Sequence, residues 1–360
     1  MNILIIGSRS YPPHIGGIER YVYEFSKVAS ELGHNITIIT QKYKGEKKYE
    51  KRENIEIIRG FTIPVRPFDQ IFLYLNTLLK KKGDFDVCWG HGLSGTLISH
   101  WTPYVYTIHG FTKFRKDKTP PFNLFTELVE DRIVDKTDMN IAVDKKTYKL
   151  AKKHNKNTYL VENGIDISRF ETDYPDPYDE TGDRVLFVGR LEKSKGILDI
   201  IKGFEENRSS DMKLHIVGDG LLKEDVKKRT QGSDNIIFHG RVDTVEGYFQ
   251  HADCYVLPSY HEGFPTTVLE GMAARIPTVV SDLPAFEGNF EHGRETLIFE
   301  PGDVDGMMGE IEKVLNDEDL RKKLVKKAYD KVEKEYTWEA QTKKILSLFE
   351  KLIDGGIDEQ

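Results

Sequence analysis

The sequence predicts an α/β protein of two doubly wound domains, each a parallel sheet covered by helices, facing a cleft. Three observations carry this. The first forty residues read strand, glycine-rich loop, amphipathic helix, strand. The same alternation restarts after residue 183. The chain has 360 residues, 38% of them hydrophobic, whereas a single core usually stops growing near ~250–300 residues.

Each element has a local reason. Ile3–Ile6 is a short apolar run closed by Gly7, as a buried parallel strand is. Ser8–Gly17 is a loop with Pro12, Pro13, Gly16 and Gly17. Ile18, Tyr21, Val22, Phe25, Val28, Ala29 and Leu32 then recur at helical spacing, and Gly33 ends the helix. Ile36–Ile39 completes a βαβ unit, whose crossover is right-handed in nearly all proteins. Val87–Trp89, Val105–Ile108 and Tyr159–Val161 continue the strands, with helices expected over 122–135 and 145–153. The polar stretch Glu171–Asp183 reads as the linker between domains 1–173 and 174–336.

Beyond it, Val185–Val188, Leu214–Val217, Ile236–Phe238, Tyr255–Leu257 and Thr278–Val280 read as strands. Ile197–Glu206 and Leu221–Arg229 read as helices between them. The tail from Val304 to Ile353 is mostly helical, and Tyr336, Trp338, Ile345, Leu348, Phe349 and Leu352 give its last helix an apolar face.

Composition excludes several classes. The aromatic and apolar content rules out disorder over most of the chain. No run of about 18 apolar residues is present, so no spanning helix is expected. The N-terminus lacks a basic region before its apolar run and does not read as a signal peptide. Cys88 and Cys254 lie far apart and outside any C-x-x-C pair, which suits a reducing cytoplasm. The net charge of −7 argues against a bulk nucleic-acid binder. That sum hides a split. Residues 1–173 carry 27 Lys and Arg against 21 Asp and Glu, whereas 174–360 carry 25 against 38. The basic first half suits an anionic partner.

The first loop leaves a strand and enters a helix, where anions bind in open α/β sheets. Gly16-Gly17 would let a ligand approach the backbone, or serve only as a turn. Neither G-x-G-x-x-G nor Walker A is present, which disfavours an NAD enzyme and a P-loop enzyme. In the second half, Gly189-Arg190-Leu191-Glu192-Lys193-Ser194-Lys195-Gly196 follows the first strand. Arg190 and Lys195 beside a helix N-terminus suit a diphosphate, or form a solvated basic turn. Glu262 and Glu270 flank Gly263-Phe264-Pro265-Thr266, with Pro265 expected at the first helical position. Carboxylates so placed accept hydrogen bonds from sugar hydroxyls, and the amides near Gly263 donate to a sugar or a phosphate.

These pieces together resemble the retaining family-four glycosyltransferases (group 1) of the GT-B architecture, with two Rossmann-like domains. The matching residues are Gly16-Gly17-Ile18-Glu19-Arg20, Asn163-Gly164-Ile165-Asp166, Gly189-Arg190-Leu191 with Lys195-Gly196, Val217-Gly218-Asp219-Gly220, Phe238-His239-Gly240-Arg241-Val242 and Glu262 to Glu270. They run in family order over nearly the whole chain.

The resemblance implies a nucleoside-diphosphate-sugar donor and a glycan or lipid-linked acceptor. Arg190 and Lys195 would hold the diphosphate, and Glu270 the ribose diol. Glu262 with Gly263, Phe264, Pro265 and Thr266 would orient the sugar. Gly16 and Gly17 would approach the diphosphate or the acceptor, and Val242 would border the base. His109 would lie near the reacting centre, so the catalytic set is His109, Glu262, Arg190 and Lys195. The helix over about 337–353 would pack back on the first domain.

No cofactor and no metal are expected. Arg190, Lys195 and a helix N-terminus would neutralise the leaving group as fixed charges. Asp84-Phe85-Asp86 and Asp303-Val304-Asp305 are discounted as metal ligands, the second as a helix cap. Arg190→Ala or Lys195→Ala is expected to abolish transfer with little loss of folding. A nucleotide-sugar epimerase of the same architecture and a non-catalytic nucleotide-sugar binder are the alternatives. Lys80-Lys81-Lys82, 113–118 and Lys145–Lys156 are basic stretches beside apolar residues. They suit peripheral contact with an anionic inner-membrane face, or ordinary solvated faces.

Overall fold

A computed structural model describes residues 1–14, 16–60, 85–92, 103–111, 131–207 and 211–355. The basic stretches at 80–82 and 113–118, residues 122–130 of an expected helix, and Asp84 lie outside the described residues. By its contacts the chain divides into two compact units, Met1–Asn163 with Trp338–Gln360, and Gly164–Thr337.

The first unit contains β1 (Asn2–Ile6), α1 (Gly17–Glu31), β2 (Asn35–Gln41), β3 (Tyr49–Arg52), β4 (Ile55–Gly60), β5 (Val87–His91), β6 (Tyr104–Ile108), β7 (Met139–Ala142), α2 (Lys145–His154) and β8 (Thr158–Leu160). The strands form one sheet in the order β3-β4-β2-β1-β5-β6-β7-β8. Every pairing is parallel except β3 with β4. The charged Tyr-Glu-Lys-Arg of β3 suits this edge, since edge strands are kept charged and short.

One sheet face is covered by α1 and the C-terminal helix Trp338–Ile353. Trp89 of β5 packs between them, with ring centroids 4.5 Å from Phe25 and 5.2 Å from Phe349. Apolar residues at helical spacing in α1 thus meet a second helix distant in sequence. The opposite face buries Leu4, Ile6, Cys88, Tyr104 and Tyr106.

The second unit contains β9 (Arg184–Val188), α3 (Ile197–Glu206), β10 (Lys213–Val217), α4 (Lys223–Thr230), β11 (Ile236–Gly240), α5 (Glu246–Gln250), β12 (Cys254–Leu257), α6 (Thr266–Ala273), β13 (Thr278–Ser281), β14 (Leu297–Phe299), α7 (Val304–Asn316) and α8 (Glu318–Lys331). Its sheet is parallel throughout, in the order β11-β10-β9-β12-β13-β14.

Strand order reverses beside the first strand of each sheet, between β1 and β5 and between β9 and β12. In open α/β sheets such reversals form the crevice where ligands bind, beyond the carboxyl ends of the strands.

Three expectations need correction. The division falls between Asn163 and Gly164, not within Glu171–Asp183. The polar stretch is no free linker. Tyr178 is buried, its hydroxyl donates to Tyr248 O at 2.6 Å, and the Arg184 guanidinium lies 4.9 Å from the centre of its ring. The sparse apolar residues there anchor it to the second unit. The last helix also begins later than its apolar pattern suggests. Thr337 is extended (φ −68°, ψ 153°), which separates Tyr336 in the second unit's core from Trp338 in the first's. Finally, Pro265 is the N-cap of α6, and Thr266 is its first helical residue.

Candidate active site

In the second unit the site grows from loops at the strand-order reversal. The loop after β9 turns through Lys193–Lys195 and enters α3 at Gly196, whose φ is +64°. A Cβ at Gly196 would lie 1.9 Å from Pro258 O, in the loop after β12. Glycine is required there both for the left-handed backbone and for this close approach. The Tyr260 amide donates to Ser194 O at 2.8 Å and joins the same two loops.

This closeness brings Lys195 onto Glu262. Lys195 Nζ lies 2.6 Å and 2.7 Å from the two Glu262 carboxylate oxygens. Ser259 Oγ donates to Glu262 Oε1 at 2.6 Å. The side chains of Lys195 and Glu262 are 15% and 8% exposed, so the pair is largely withdrawn from water. Arg190 is placed differently. Its side chain is 71% exposed and its Nη1 donates to Glu192 Oε1 at 2.9 Å.

Glu270 sits in the second turn of α6. Arg169 Nη1 donates to Glu270 Oε1 at 3.3 Å, and the other end of the guanidinium reaches Glu246 at 2.6 Å and 2.8 Å. Arg169 comes from the short helical turn Ile167–Phe170, capped by Asp166, whose carboxylate accepts from Ser168 N at 3.1 Å. Arg169, Glu246 and Ser259 were absent from the sequence-predicted set. The available signal was Asp166, the last residue of the Asn163-Gly164-Ile165-Asp166 motif and the cap that starts the turn carrying Arg169. Gly263 is exposed, Thr266 is half-buried, and Pro265 is buried. Phe264 stacks on Tyr336 with centroids 5.5 Å apart, and Val242, just past β11, packs against the same core.

In the first unit, Gly16 and Gly17 are exposed at the start of α1. Gly16 has φ +117°, and a Cβ there would lie 2.2 Å from Glu19 Oε2. Buried Glu19 pairs with Arg9 at 3.0 Å across the loop. Among the described residues nothing would meet a Cβ at Gly17 within 4 Å. Gly7 (φ +108°) is pressed against the end of β5, where a Cβ would be 1.7 Å from His91 O. His109 follows β6, and its Nε2 lies 3.0 Å from His91 Nδ1. Burial lowers the His109 pKa from 6.5 to about 4, so the ring is neutral near pH 7.

Asp303 caps α7 by accepting from Gly306 N at 2.9 Å, as expected of a capping aspartate. Asp86 Oδ2 accepts from Asn2 N at 2.7 Å. Among the described residues no helix is long and apolar enough to cross a membrane.

Two parallel-sheet α/β units, with charged side chains gathered at the strand-order reversal, define a glycosyltransferase of GT-B architecture. The chain belongs to the family-four glycosyltransferases. Residues 15–169 match the family model described as Glycosyltransferase Family 4, and residues 168–331 match that described as Glycosyl transferases group 1. The phosphatidyl-myo-inositol mannosyltransferase of Mycolicibacterium smegmatis is 26% identical, over 96% of this chain and 92% of its own. The structure of sucrose-phosphate synthase from Thermosynechococcus elongatus aligns with a TM-score of 0.77 at 19% identity, covering 98% of this chain and 99% of that one. Anabaena Alr3699/HepE in complex with UDP and glucose aligns with a TM-score of 0.72 at 16% identity, covering 97% and 99%.

Proposed function

We propose that this glycosyltransferase moves a hexose from a nucleoside-diphosphate sugar to a hydroxyl of a glycan or lipid-linked acceptor, with retention and without a metal. The observation that carries this reading is the loop pair holding Lys195 on Glu262 at the β9/β12 reversal, with Glu270 in the second turn of the helix that follows. A cation and two carboxylates there match a diphosphate joined to two hydroxyl-bearing sugars. The complex of the Anabaena protein with UDP and glucose supports this donor class.

In this mechanism the donor's anomeric carbon–phosphate oxygen bond breaks as the acceptor oxygen bonds that carbon from the same face. The acceptor proton passes to the departing phosphate oxygen, so no protein base is required. Lys195 and exposed Arg190 stabilise the charge that develops on the diphosphate. Glu270 holds the ribose diol, and Glu262 orients the transferred sugar and keeps Lys195 in place. His109 of the first unit completes the proposed catalytic set. The Mycolicibacterium relative's name, a mannosyltransferase acting on an inositol lipid, supports a hexose donor and a lipid-linked acceptor. Basic α2 suits peripheral contact with anionic lipid on the cytoplasmic side of a membrane.

The test is a panel of nucleotide sugars screened for protection against thermal unfolding, with and without EDTA, followed by measurement of nucleoside diphosphate release with acceptors. One donor class should raise the unfolding temperature, with the logarithm of its concentration over its dissociation constant once that ratio exceeds one. Arg190→Ala should lower turnover on the order of a hundredfold or more at unchanged stability. Loss of activity in EDTA, inversion at the anomeric carbon, or near-normal turnover of Arg190→Ala would each overturn the corresponding part.

A further inference from the structure

We propose that His91 is a positioning residue that fixes the tautomer of His109, so that His109 offers a Nδ1–H donor to the substrate. The inference rests on the proposed catalytic role of His109.

Strand register brings the two rings together. His91 ends β5 opposite Thr107 of β6, so both side chains leave the same sheet face. His109 is two residues beyond Thr107. Trp89, two residues before His91, shares that face, and its Nε1–H donates to Thr107 Oγ1 at 2.8 Å. Trp89 and Tyr21 wall His91, with centroids 4.5 Å and 5.7 Å away. His91 is fully buried.

The hydrogen bond between His91 Nδ1 and His109 Nε2 is 3.0 Å long and holds one proton. Two neutral arrangements satisfy it. In one, His109 Nε2–H donates to His91, and His91 must carry its own proton on Nε2. That atom is buried and has no hydrogen-bond partner among the described residues. The arrangement therefore strands an N–H donor, which folded proteins almost never do. In the other, His91 Nδ1–H donates to His109 Nε2. His91 Nε2 then holds only a lone pair, and the His109 proton must sit on Nδ1. The second arrangement avoids the orphaned donor.

Its consequence is chemical. Nε2 of His109 is occupied as an acceptor, so this ring does not take a proton from the acceptor hydroxyl through that atom. Nδ1–H serves as a hydrogen-bond donor to a sugar oxygen. Both rings are kept neutral by burial, and for His91 also by its neighbour, so the tautomer decides what His109 does.

The test uses nitrogen–proton correlation spectra of the imidazoles in the full chain, with His109 assigned by loss of its signal in His109→Ala. His109 should be protonated on Nδ1. His91→Phe should redistribute it toward the Nε2–H form and lower kcat about tenfold, the worth of one hydrogen bond, with little change in donor KM. His91→Asn, whose amide places a donor near the original Nδ1, should recover most of that loss. A His109 protonated on Nε2 in the parent protein overturns the proposal, as does a tautomer and kcat unmoved by His91→Phe. The parent spectrum decides even where the Phe variant fails to fold. If no nucleotide sugar supports turnover, the proposed function fails, while the tautomer measurement still decides this point.

Discussion

Lys195 and Glu262 form a two-point ion pair, with Nζ 2.6 Å and 2.7 Å from the carboxylate oxygens, between loops that follow different strands. The pair ties donor chemistry to stability. Removing the ammonium would leave a largely buried carboxylate with Ser259 as the hydrogen-bonding side chain shown beside it. The expectation that Lys195→Ala spares folding therefore gives way. It should cost about 2–3 kcal/mol in denaturant unfolding, because a buried charge loses its partner. Lys195→Ala with Glu262→Gln should recover most of the stability and none of the transfer. Unchanged unfolding in the single variant would refute the coupling.

Arg169 spans Glu270 and Glu246 with a planar fork. Lysine is a point charge and cannot hold both carboxylates in that geometry. Arg169→Lys should weaken donor binding on the order of tenfold with a smaller effect on kcat. Isothermal titration with the identified donor measures it. A change in kcat alone would show that Arg169 does not act through Glu270 on the ground-state complex.

Gly17 separates a ligand role from a folding role. It is exposed and begins α1, and none of the described residues would meet a Cβ there. Gly17→Ala should leave stability unchanged or raise it by up to about 0.5 kcal/mol. If a ligand approaches this backbone, the added methyl weakens its binding on the order of tenfold. Full affinity in Gly17→Ala would leave Gly17 as a turn residue. Gly196→Ala should instead destabilise by about 2 kcal/mol or more, since the Cβ meets Pro258 O.

Buried imidazoles set an acid limit. Burial lowers His109 to about 4 and His215 to about 3, the latter helped by nearby His239. Their unfolded value is near 6.5, so between these values the unfolded chain binds more protons. The stability they contribute is complete above about pH 6.5 and is lost as pH falls toward about 4. Urea unfolding at a series of pH values should show this decline. His109→Gln should shallow it and should not alter the pH profile of kcat above about pH 6. A stability maximum below about pH 5 would contradict the assignment.

Much of the fold was legible because buried parallel strands read as apolar runs and α1 repeats at helical spacing. Ile197–Glu206 matches its helix residue for residue. Strands β3, β4, β7 and β14 were not anticipated. Three of them have four residues or fewer, and β3 and β7 hold charged or polar side chains within that length. Their strand state follows from ladder partners rather than from pattern. The linker reading of Glu171–Asp183 missed Tyr178, because one aromatic anchor leaves no periodicity.

The sequence by itself determined two α/β domains, the family, and a list of charged residues between strands and helices. Loop position and residue type suffice for that, since both are local. Tertiary structure decided which of those residues meet. It set Lys195 on Glu262, left Arg190 to solvent, and brought Arg169 to Glu270. It also placed Tyr336 and Trp338 in different cores and brought His91 within hydrogen-bond distance of His109. Each of these depends on strand order, register or a left-handed glycine that presses two distant loops together, and nothing in a linear pattern encodes that proximity.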